Sequence, residues 1–435
     1  MTSQSNGVER AGWVIFLLLV LNVLNIVDRN LIISFAPQIT RELNLTDFQF
    51  GLLTGLLFVS FYAVMGVFVG RLADRMSRTR LIAGGLALWS LLTVVSGATR
   101  NFVQIGTARM FIGVGEACLT PAAMSMIGDL YPAKKRGAMA SLYYLGIPLG
   151  AGVSFVLAGV LGPLIGWRNC FYLLGALGLV LVPIVLWVRE PVRGVFDEVV
   201  ADPMKDTGLW QSCQRVWALC KRSPTLSYAM LGAIFLHLPI SAGSFAMLWL
   251  VRERGFAEAE IQVLYGILLF VFGALGSIVS GYLSDWYRAR FAGGRLRFLA
   301  YFLIAITPLL IGYRFVSPDS MLFYVAMSAG FVSFMAFYGP VFSTVQDITP
   351  PNMRGLTTAV LLLVSNLIGI GLGAVIVGTL SAVFSGMGWS QPLTWSLFAV
   401  DLLSAFTILW FWLGSVHYER EYGHLRTSSL VAHAD

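Results

Sequence analysis

Four ionisable side chains, Asp28, Arg29, Arg109 and Glu116, lie inside apolar stretches that are long enough to cross a bilayer. A charge at that depth is costly and by default functional. Arg109 and Glu116 are spaced so that a helix places them on one face, and Asn25 shares a helical stripe with Arg29. Two acids and two bases sum to zero, which predicts a mutually compensated cluster around an aqueous cavity. A desolvated carboxylate beside an arginine that moves can exchange a proton, and the alternative is a permanent charge network that holds the two helices together.

The second half of the chain offers aromatic residues instead of charges. The chain contains an internal repeat, and its second copy has Met327 and Phe334 at the positions that correspond to Arg109 and Glu116. Neither of these residues carries a charge. Phe334 and Tyr338 belong to an aromatic run that would suit an amphipathic solute, although such runs also serve helix packing. His237 and Asp401 are secondary candidates for proton exchange, and we rank them lower because each is alone, without a predicted ionisable partner.

The composition excludes an ordinary soluble protein. Of the 435 residues, 57% are hydrophobic and 12% are charged, whereas a soluble domain has roughly 45–50% apolar and about 25% charged residues. The net charge of +7 would suggest nucleic acid as the partner of a soluble protein. Membrane proteins, however, keep Lys and Arg in cytoplasmic loops for topological reasons. We therefore expect the lipid bilayer, and no nucleic acid, as a partner.

Twelve apolar stretches have the length of about 20 residues that a bilayer-crossing helix needs. They lie near 13–36, 50–70, 81–99, 103–127, 138–161, 170–188, 225–250, 260–283, 297–315, 320–345, 357–383 and 392–414. Alternate loops divide Lys and Arg unequally, with 21 on one side and six on the other. The positive-inside rule therefore predicts that both termini are cytoplasmic.

The longest break in hydrophobicity, about residues 189–224, divides the predicted spans six and six. We expect an N-terminal six-helix bundle at 1–190, a cytoplasmic linker at 191–224, a C-terminal six-helix bundle at 225–415 and a cytoplasmic tail at 416–435. Apolar residues recur in the linker with helical spacing, which predicts an amphipathic helix on the cytoplasmic membrane surface, acting as a structural tether rather than a regulator. The members of this stripe are Leu209, Trp210, Cys213, Val216, Trp217 and Cys220.

Two loop motifs occur twice in the chain. The pattern Gly-x-x-x-Asp ends the second span at Asp74 and recurs at the end of the eighth span at Asp285. The pattern Asp-x-x-Pro followed by Arg-Gly begins at Asp129 after the fourth span and recurs at Asp347 after the tenth. In both motifs, the second copy follows the first after nearly the same length of chain. They indicate a duplicated six-helix unit, the parallel-repeat plan of one class of transporters.

The repeated loops also suggest a gate. An Asp at a helix end, followed by arginines on a tight turn, can form charge pairs between helices and contacts with helix ends. Such contacts can hold one conformation shut from the cytoplasmic side, whereas the alternative is an ordinary positive-inside loop. The repeat favours the gate. The predicted gating residues are Asp74, Arg75, Arg78, Asp285 and Arg136.

Motifs of common enzyme sites are absent from the sequence. There is no Gly-x4-Gly-Lys-[Ser/Thr], no His-Glu-x-x-His and no Gly-x-Ser-x-Gly. The four cysteines form no Cys-x-x-Cys pair, so we predict neither a metal site nor a disulfide framework, and no cofactor. Without a phosphate-binding loop, uphill transport would be driven by an ion gradient, unless a separate ATPase subunit supplies the energy.

The spans and motifs of this chain resemble those of a known family. Twelve predicted spans in two parallel repeats, with the motif that begins at Gly70 and its echo at Gly281, resemble the major facilitator superfamily over essentially the whole chain. Three motifs of the first half resemble its Spinster branch: Asn-Ile-Val-Asp-Arg ending at Arg29, Gly-Val-Gly-Glu ending at Glu116, and Tyr-x-x-x-Pro-x-Gly beginning at Tyr144.

The resemblance implies an all-α membrane protein with the major facilitator fold, two six-helix bundles that rock about a central cavity. It also implies that the substrates are lysophospholipids or sphingolipid phosphates, with proton coupling as in bacterial Spinster members. Asp28 and Glu116 are then the proton-responsive acids, and Arg29 and Arg109 are their partners and head-group contacts. The full predicted substrate-binding set is Arg29, Arg109, Asn25, Phe334 and Tyr338.

We therefore predict a proton-coupled secondary transporter that works by alternating access and moves an amphipathic, anionic, lipid-like solute. We expect a monomer in the inner membrane of a bacterium, a compartment that rests on the resemblance and on the lack of a targeting segment. The first alternative is a transporter of the same fold for a soluble organic anion or a drug. The second is a membrane-embedded enzyme or receptor, although an enzyme would need a nucleophile and base that the sequence does not offer.

Overall fold

The computed structural model describes residues 2–193, 209–350 and 353–432. Within these ranges the chain forms helices and no strand, as predicted for an all-α protein. The centre of the predicted linker, 194–208, and the end of the predicted tail, 433–435, lie outside the described residues.

Helices follow one another closely along the chain. Those of the first half are α1 Thr2–Ser34, α2 Ala36–Glu42, α3 Asp47–Thr54, α4 Leu56–Arg75, α5 Arg78–Gly97, α6 Phe102–Glu116, α7 Leu119–Leu130, α8 Ala133–Tyr144 and α9 Gly146–Trp187. Those of the second half are α10 Leu209–Arg222, α11 Pro224–Ala242, α12 Ala246–Arg252, α13 Glu258–Arg290, α14 Gly294–Gly312, α15 Met321–Ala336, α16 Tyr338–Ile348, α17 Arg354–Val364, α18 Gly371–Gly386, α19 Pro392–Leu402 and α20 Ser404–Ala432. A one-turn 3-10 helix lies at Gly243–Phe245 and a π-helix at Ser365–Ile370.

Eleven helical stretches of the described chain are long and apolar enough to cross a membrane. One of them, Lys134–Trp187, is 54 residues long and breaks at Gly166. Gly166 has φ 77° and ψ 161°, a conformation open to glycine because it has no Cβ, and Pro163 precedes the break. The break falls between the fifth and sixth predicted spans. All twelve predicted apolar spans are therefore helical.

Several spans are interrupted at matching places in the two halves. The fourth span breaks after Glu116, between α6 and α7, and the tenth breaks at Phe337, between α15 and α16. The fifth span breaks at Leu145, and the eleventh passes into the π-helix at Ser365. Interrupted helices of this kind often mark binding regions in transporters. The duplication that the loop motifs indicate thus extends to the helix breaks.

Two compact units make up the chain, Met1–Val200 with Ser244–Phe270 and Ala201–Gly243 with Val271–Asp435. In the first unit, α1 and α5 pack along α9, and α5 also packs on α6. These helices approach closely because glycines face their neighbours. A Cβ at Gly85 of α5, for example, would lie 2.7 Å from the main-chain oxygen of Gly115 on α6.

In the second unit, α11 and α14 pack along α20, and the π-helix packs on α11. The hydroxyl of Ser241 on α11 donates to the main-chain oxygen of Ile370 at 2.6 Å and accepts from the main-chain N–H of Ala374 at 2.9 Å. A π-helical turn shifts the hydrogen-bond register of its helix, and Ser241 bonds backbone groups at its end and just beyond it.

The amphipathic helix predicted in the linker is α10. Val216 and Cys220 are buried in the apolar core of the second unit, whereas Trp217 of the same predicted stripe is 65% exposed. The Trp217 ring lies 5.5 Å from Nζ of Lys221. The side chains of Leu209, Trp210 and Cys213, which also belong to the predicted stripe, lie outside the described part of the chain. The described part of the helix packs on its unit through Val216 and Cys220.

Candidate functional site

The charged residues predicted in the first half lie together in the first unit. Arg29 donates from Nη2 and Nε to Oε2 of Glu116, at 2.8 and 3.1 Å. The side chain of Glu116 has no exposed area, whereas that of Arg29 is 29% exposed. Arg109 donates from Nη2 to the main-chain oxygen of Arg29 at 2.7 Å. Helices α1 and α6 therefore meet through a charge pair and a bond from side chain to backbone.

Asp28 is buried and contacts α5 instead. Oγ1 of Thr93 lies 2.7 Å from Oδ1 of Asp28. Four buried atoms of this cluster have no hydrogen-bond partner among the described residues. They are Oδ2 of Asp28, Oε1 of Glu116, Nε of Arg109 and Nδ2 of Asn25. Buried polar groups are ordinarily hydrogen-bonded, so this cluster has capacity left for a proton or a polar ligand.

Two aromatic side chains of α4, which no sequence motif indicated, contact the arginines of the cluster. The guanidinium of Arg29 lies 5.0 Å from the ring centroid of Phe58 and 4.6 Å from that of Tyr62. The guanidinium of Arg109 lies 4.4 Å from the Phe58 ring. An aromatic face attracts a cation through its quadrupole. The spacing of Phe58 and Tyr62 placed them on one helix face, but nothing in the sequence showed that this face meets the arginines.

The predicted gating residue Arg78 is fully buried and makes all its described contacts within the first unit. It pairs with Asp129 at the end of α7 and donates from Nε to Oε1 of Glu190 at 2.6 Å. Nη1 also donates to Oγ of Ser125 at 3.1 Å, and Nη2 to the main-chain oxygen of Pro191 at 2.7 Å. Arg78 therefore ties the start of α5 to the end of α7 and to the chain that follows α9.

Glu190 caps the start of α5. Its carboxylate accepts from the main-chain N–H groups of Arg78 and Thr79, both at 3.1 Å, and from Oγ of Ser77 at 2.7 Å. Burial opposes ionisation, but these hydrogen bonds and the Arg78 guanidinium outweigh it and lower the pKa of Glu190 to about 2. Nothing in the sequence indicated Glu190, because it lies 112 residues from Arg78 and belongs to no motif.

The second unit repeats the pairing of Arg78 with Asp129. Arg295, near the start of α14, donates from Nη1 to Oδ2 of Asp347 at 2.7 Å and from Nε to Oδ1 of the predicted gating residue Asp285 at 2.6 Å. Asp347 is the counterpart of Asp129 in the repeated loop motif. The two halves thus place an arginine at the start of a span against an aspartate at the end of another.

The predicted gating residue Arg136 also has a counterpart. It donates from Nε to the main-chain oxygen of Tyr131 at 3.0 Å, and Arg354 donates from Nε to that of Thr349 at 3.3 Å. Each bond reaches back five residues, so the repeat is preserved down to single hydrogen bonds.

Two further predicted gating residues lie at the end of α4. Arg75 is exposed. The side chain of Asp74 lies outside the part of the chain that the structure describes. Their role in a gate stays a prediction.

Comparison with known proteins identifies the family. The sequence model of the Major Facilitator Superfamily matches residues 18–374. The chain belongs to this superfamily. Its members are transporters, so this protein is a multi-pass membrane transporter of a small molecule and not an enzyme.

Three relatives show which members of the superfamily this chain is similar to. It is 30% identical to an MFS-type efflux pump of Mycolicibacterium smegmatis over 430 residues, 96% of each chain. It is 32% identical to protein spinster homolog 1 of Homo sapiens over 262 residues, 58% of this chain and about half (48%) of that protein. Its fold is similar to the crystal structure of a bacterial homolog to the human lysosomal transporter Spinster in an inward-facing and unoccupied conformation, with a TM-score of 0.83 and 26% identity, covering 95% of this chain and 98% of that one. The predicted resemblance to the superfamily and to its Spinster branch is confirmed.

The predicted site residues in the second unit have different surroundings. His237 is buried, with Nδ1 2.7 Å from the main-chain oxygen of Ala233 and its ring centroid 5.2 Å from Phe337 and 6.2 Å from Tyr338. Its Nε2 has no hydrogen-bond partner among the described residues. Phe334 and Tyr338 are half-buried.

Asp401 is not alone, and that prediction was wrong. Arg314 donates from Nε to Oδ2 of Asp401 at 2.8 Å, and both side chains are buried. Arg314 lies just after the end of α14, and its side chain is buried against α19. The two residues are 87 positions apart, so no local pattern joined them.

Proposed function

We propose that this transporter couples proton movement to the alternating-access transport of an amphipathic anionic solute of the lysophospholipid or sphingolipid phosphate type. The ion pair between Arg29 and Glu116, 2.8 Å long, is the observation that carries the proposal. Glu116 is buried, but the Arg29 side chain is 29% exposed. A proton on Glu116 cancels the charge that holds Arg29, so the guanidinium becomes available to an anionic head group.

Charge balance gives the reason for coupling. Asp28, Arg29, Arg109 and Glu116 sum to zero, and an anion that enters alone would leave an uncompensated charge away from water, which is strongly unfavourable. One proton for each negative charge of the solute restores neutrality. We assign this proton to Asp28 and Glu116 together rather than to either acid alone.

The substrate class rests on the Spinster resemblance and on the chemistry of the cluster. An arginine donates parallel hydrogen bonds that match a phosphate group, which suits Arg29 and Arg109 as head-group contacts, with Asn25 beside them. Phe334 and Tyr338 are proposed to contact the apolar part of the solute.

We place the protein in the inner membrane of a bacterium as a monomer with both termini cytoplasmic, and we assign the rocking bodies to the bundles at 1–190 and 225–415. The linker at 191–224 joins them, and 416–435 is the tail. The proposed gate consists of Asp74, Arg75, Arg78, Arg136 and Asp285.

A second candidate function is efflux of a drug or a soluble organic anion. It is favoured by the 30% identity to an MFS-type efflux pump over 96% of both chains. The charge cluster would serve such substrates equally, so the two candidates differ in the solute rather than in the coupling site.

The experiment that tests the proposal follows internal pH in dye-loaded proteoliposomes. A lysophospholipid, a sugar acid and a lipophilic cation are added in turn to the parent, to Glu116→Gln and to the control Glu260→Gln, which changes an exposed glutamate at the start of α13. We expect proton flux with the lysophospholipid only, absent in Glu116→Gln and retained in the control.

Flux evoked by the sugar acid or the cation instead would move the function to the second candidate. A Glu116→Gln variant that conducts protons as well as the parent would overturn the coupling assignment for either solute.

A further inference from the structure

Thr93 is placed to hydrogen-bond Asp28 in both of its protonation states. Oγ1 of Thr93 lies 2.7 Å from Oδ1 of Asp28 and 2.9 Å from the main-chain oxygen of Trp89, one helical turn earlier in α5. A hydroxyl has a single proton, so it points that proton at one of these oxygens while its lone pairs face the other. The oxygen of Trp89 can only accept, whereas a carboxyl oxygen accepts when ionised and donates when protonated.

We propose that Thr93 is a positioning residue for proton exchange at Asp28 and acts by reversing the direction of their hydrogen bond. When Asp28 is ionised, Thr93 donates to Oδ1. When Asp28 is protonated there, its carboxyl O–H donates to Oγ1, and Thr93 turns its proton toward Trp89. The inference rests on the proposed role of Asp28 in proton coupling.

Burial gives this reversal its importance. Thr93 is 1% exposed and Asp28 is 3% exposed, so bulk water is not in contact to replace a lost partner, and a buried polar group without one is costly. The main-chain oxygen of Trp89 also lies in a regular stretch of α5, where the helical ladder supplies an N–H. It therefore tolerates the loss of the hydroxyl when Thr93 turns to Asp28.

Thr93 differs from the other partners of Asp28 because it is neutral. The titratable groups that face the acid or its neighbour Arg29 are Arg29 itself, Arg109, Glu116, Tyr62 and Tyr143. From α9, Ser154 donates to the main-chain oxygen of Val27 at 3.1 Å, one residue before the acid. A charged partner stabilises one protonation state and opposes the other, whereas a hydroxyl can hydrogen-bond either state and forms the stronger bond with the ionised carboxylate.

The test is the pH profile of proton-driven transport in proteoliposomes. Thr93→Val keeps the size of the side chain but removes the donor to the ionised carboxylate, so the neutral acid is favoured. We expect the pH of half-maximal transport to rise by about one unit. Thr93→Ser keeps the hydroxyl and restores the midpoint of the parent. The matched control is Thr379→Val, which removes the same kind of bond, Oγ1 to the main-chain oxygen of Val375 at 2.7 Å, on an exposed position.

A direct measurement removes the dependence on transport. Infrared difference spectra of the purified protein during a pH titration report the protonated carboxyl of Asp28, assigned as the band that Asp28→Asn lacks. The midpoint of this band should shift upward in Thr93→Val and not in Thr93→Ser.

An unshifted band in Thr93→Val, or equal shifts in both variants, would overturn the role of Thr93. A parent whose transport does not depend on pH would overturn the proposed proton coupling instead, and the infrared midpoints would still decide the inference.

Discussion

Arg29 donates two hydrogen bonds to a single oxygen of Glu116, at 2.8 and 3.1 Å, and the other carboxylate oxygen has no partner among the described residues. This is not the parallel arrangement in which each nitrogen takes its own oxygen. A proton can therefore enter on Oε1 without displacing Arg29 first. Once Glu116 is neutral, the rings of Phe58 and Tyr62, at 5.0 and 4.6 Å, still stabilise the guanidinium.

This arrangement predicts unequal effects of removing the two arginines. Arg29→Ala should weaken the binding of an anionic lysolipid roughly 10- to 100-fold, the loss of one or two charge-assisted hydrogen bonds. Arg109→Ala should weaken it less, because Arg109 is buried and already donates to the main-chain oxygen of Arg29. Titration calorimetry in nanodiscs measures both affinities, with the exposed Arg100→Ala as the control. Unchanged affinity in both variants would make the arginines structural partners only.

The charges of this cluster could be predicted from the sequence, and their neighbours could not. Charged residues within long apolar stretches are rare, so Asp28 and Glu116 stand out without a structure. Phe58, Tyr62 and Thr93 belong to residue types that are ordinary in membrane spans. Their role depends on which face of α4 or α5 meets α1 and α6, and that is a property of packing between distant segments.

The loops show the same limit. The repeat of Asp129 at Asp347 was visible because both stand in a spaced motif, and the structure gives them matching arginines. Glu190 carries no motif, yet it accepts the backbone N–H groups at the start of α5. Local spacing identifies residues that are close in the chain, whereas a cap supplied by a distant residue requires the fold.

Glu190 predicts a pH dependence of stability. Its pKa is lowered from 4.5 to about 2 in the folded protein, so the ionised carboxylate stabilises the fold above pH 4.5, and this stabilisation is lost as the pH falls toward 2. Glu190→Gln should lower the unfolding temperature at pH 7, and the difference from the parent should shrink steadily below pH 4.5. Thermal unfolding in detergent, followed by tryptophan fluorescence, measures it. A difference independent of pH would contradict the assignment, and Glu260→Gln should show none.

Neighbouring glycines of α5 offer a matched pair for testing helix packing. A Cβ at Gly85 would lie 2.6 Å from the Cβ of Cys118 and 2.7 Å from the main-chain oxygen of Gly115, whereas a Cβ at Gly84 would meet nothing within 4 Å. Gly85→Ala should force α5 away from α6 and reduce both folded yield and unfolding temperature. Gly84→Ala should be neutral or stabilising by up to about 1 kcal/mol, because alanine favours a helix more than glycine. Equal behaviour of the two variants in size-exclusion chromatography and thermal unfolding would contradict the close approach.

Variants of the buried pair Arg314 and Asp401 distinguish a structural role of this pair from a role in proton coupling. Asp401→Asn leaves a buried guanidinium without its charge partner, which should cost about 3–5 kcal/mol of stability. The double variant Arg314→Met with Asp401→Leu removes both charges and should recover most of that loss. Asp319→Asn, at an exposed position, should change nothing. Thermal unfolding measures these effects, and the pH profile of transport should match the parent in every variant that folds. A shifted profile in Asp401→Asn at unchanged stability would instead assign Asp401 to the coupling path.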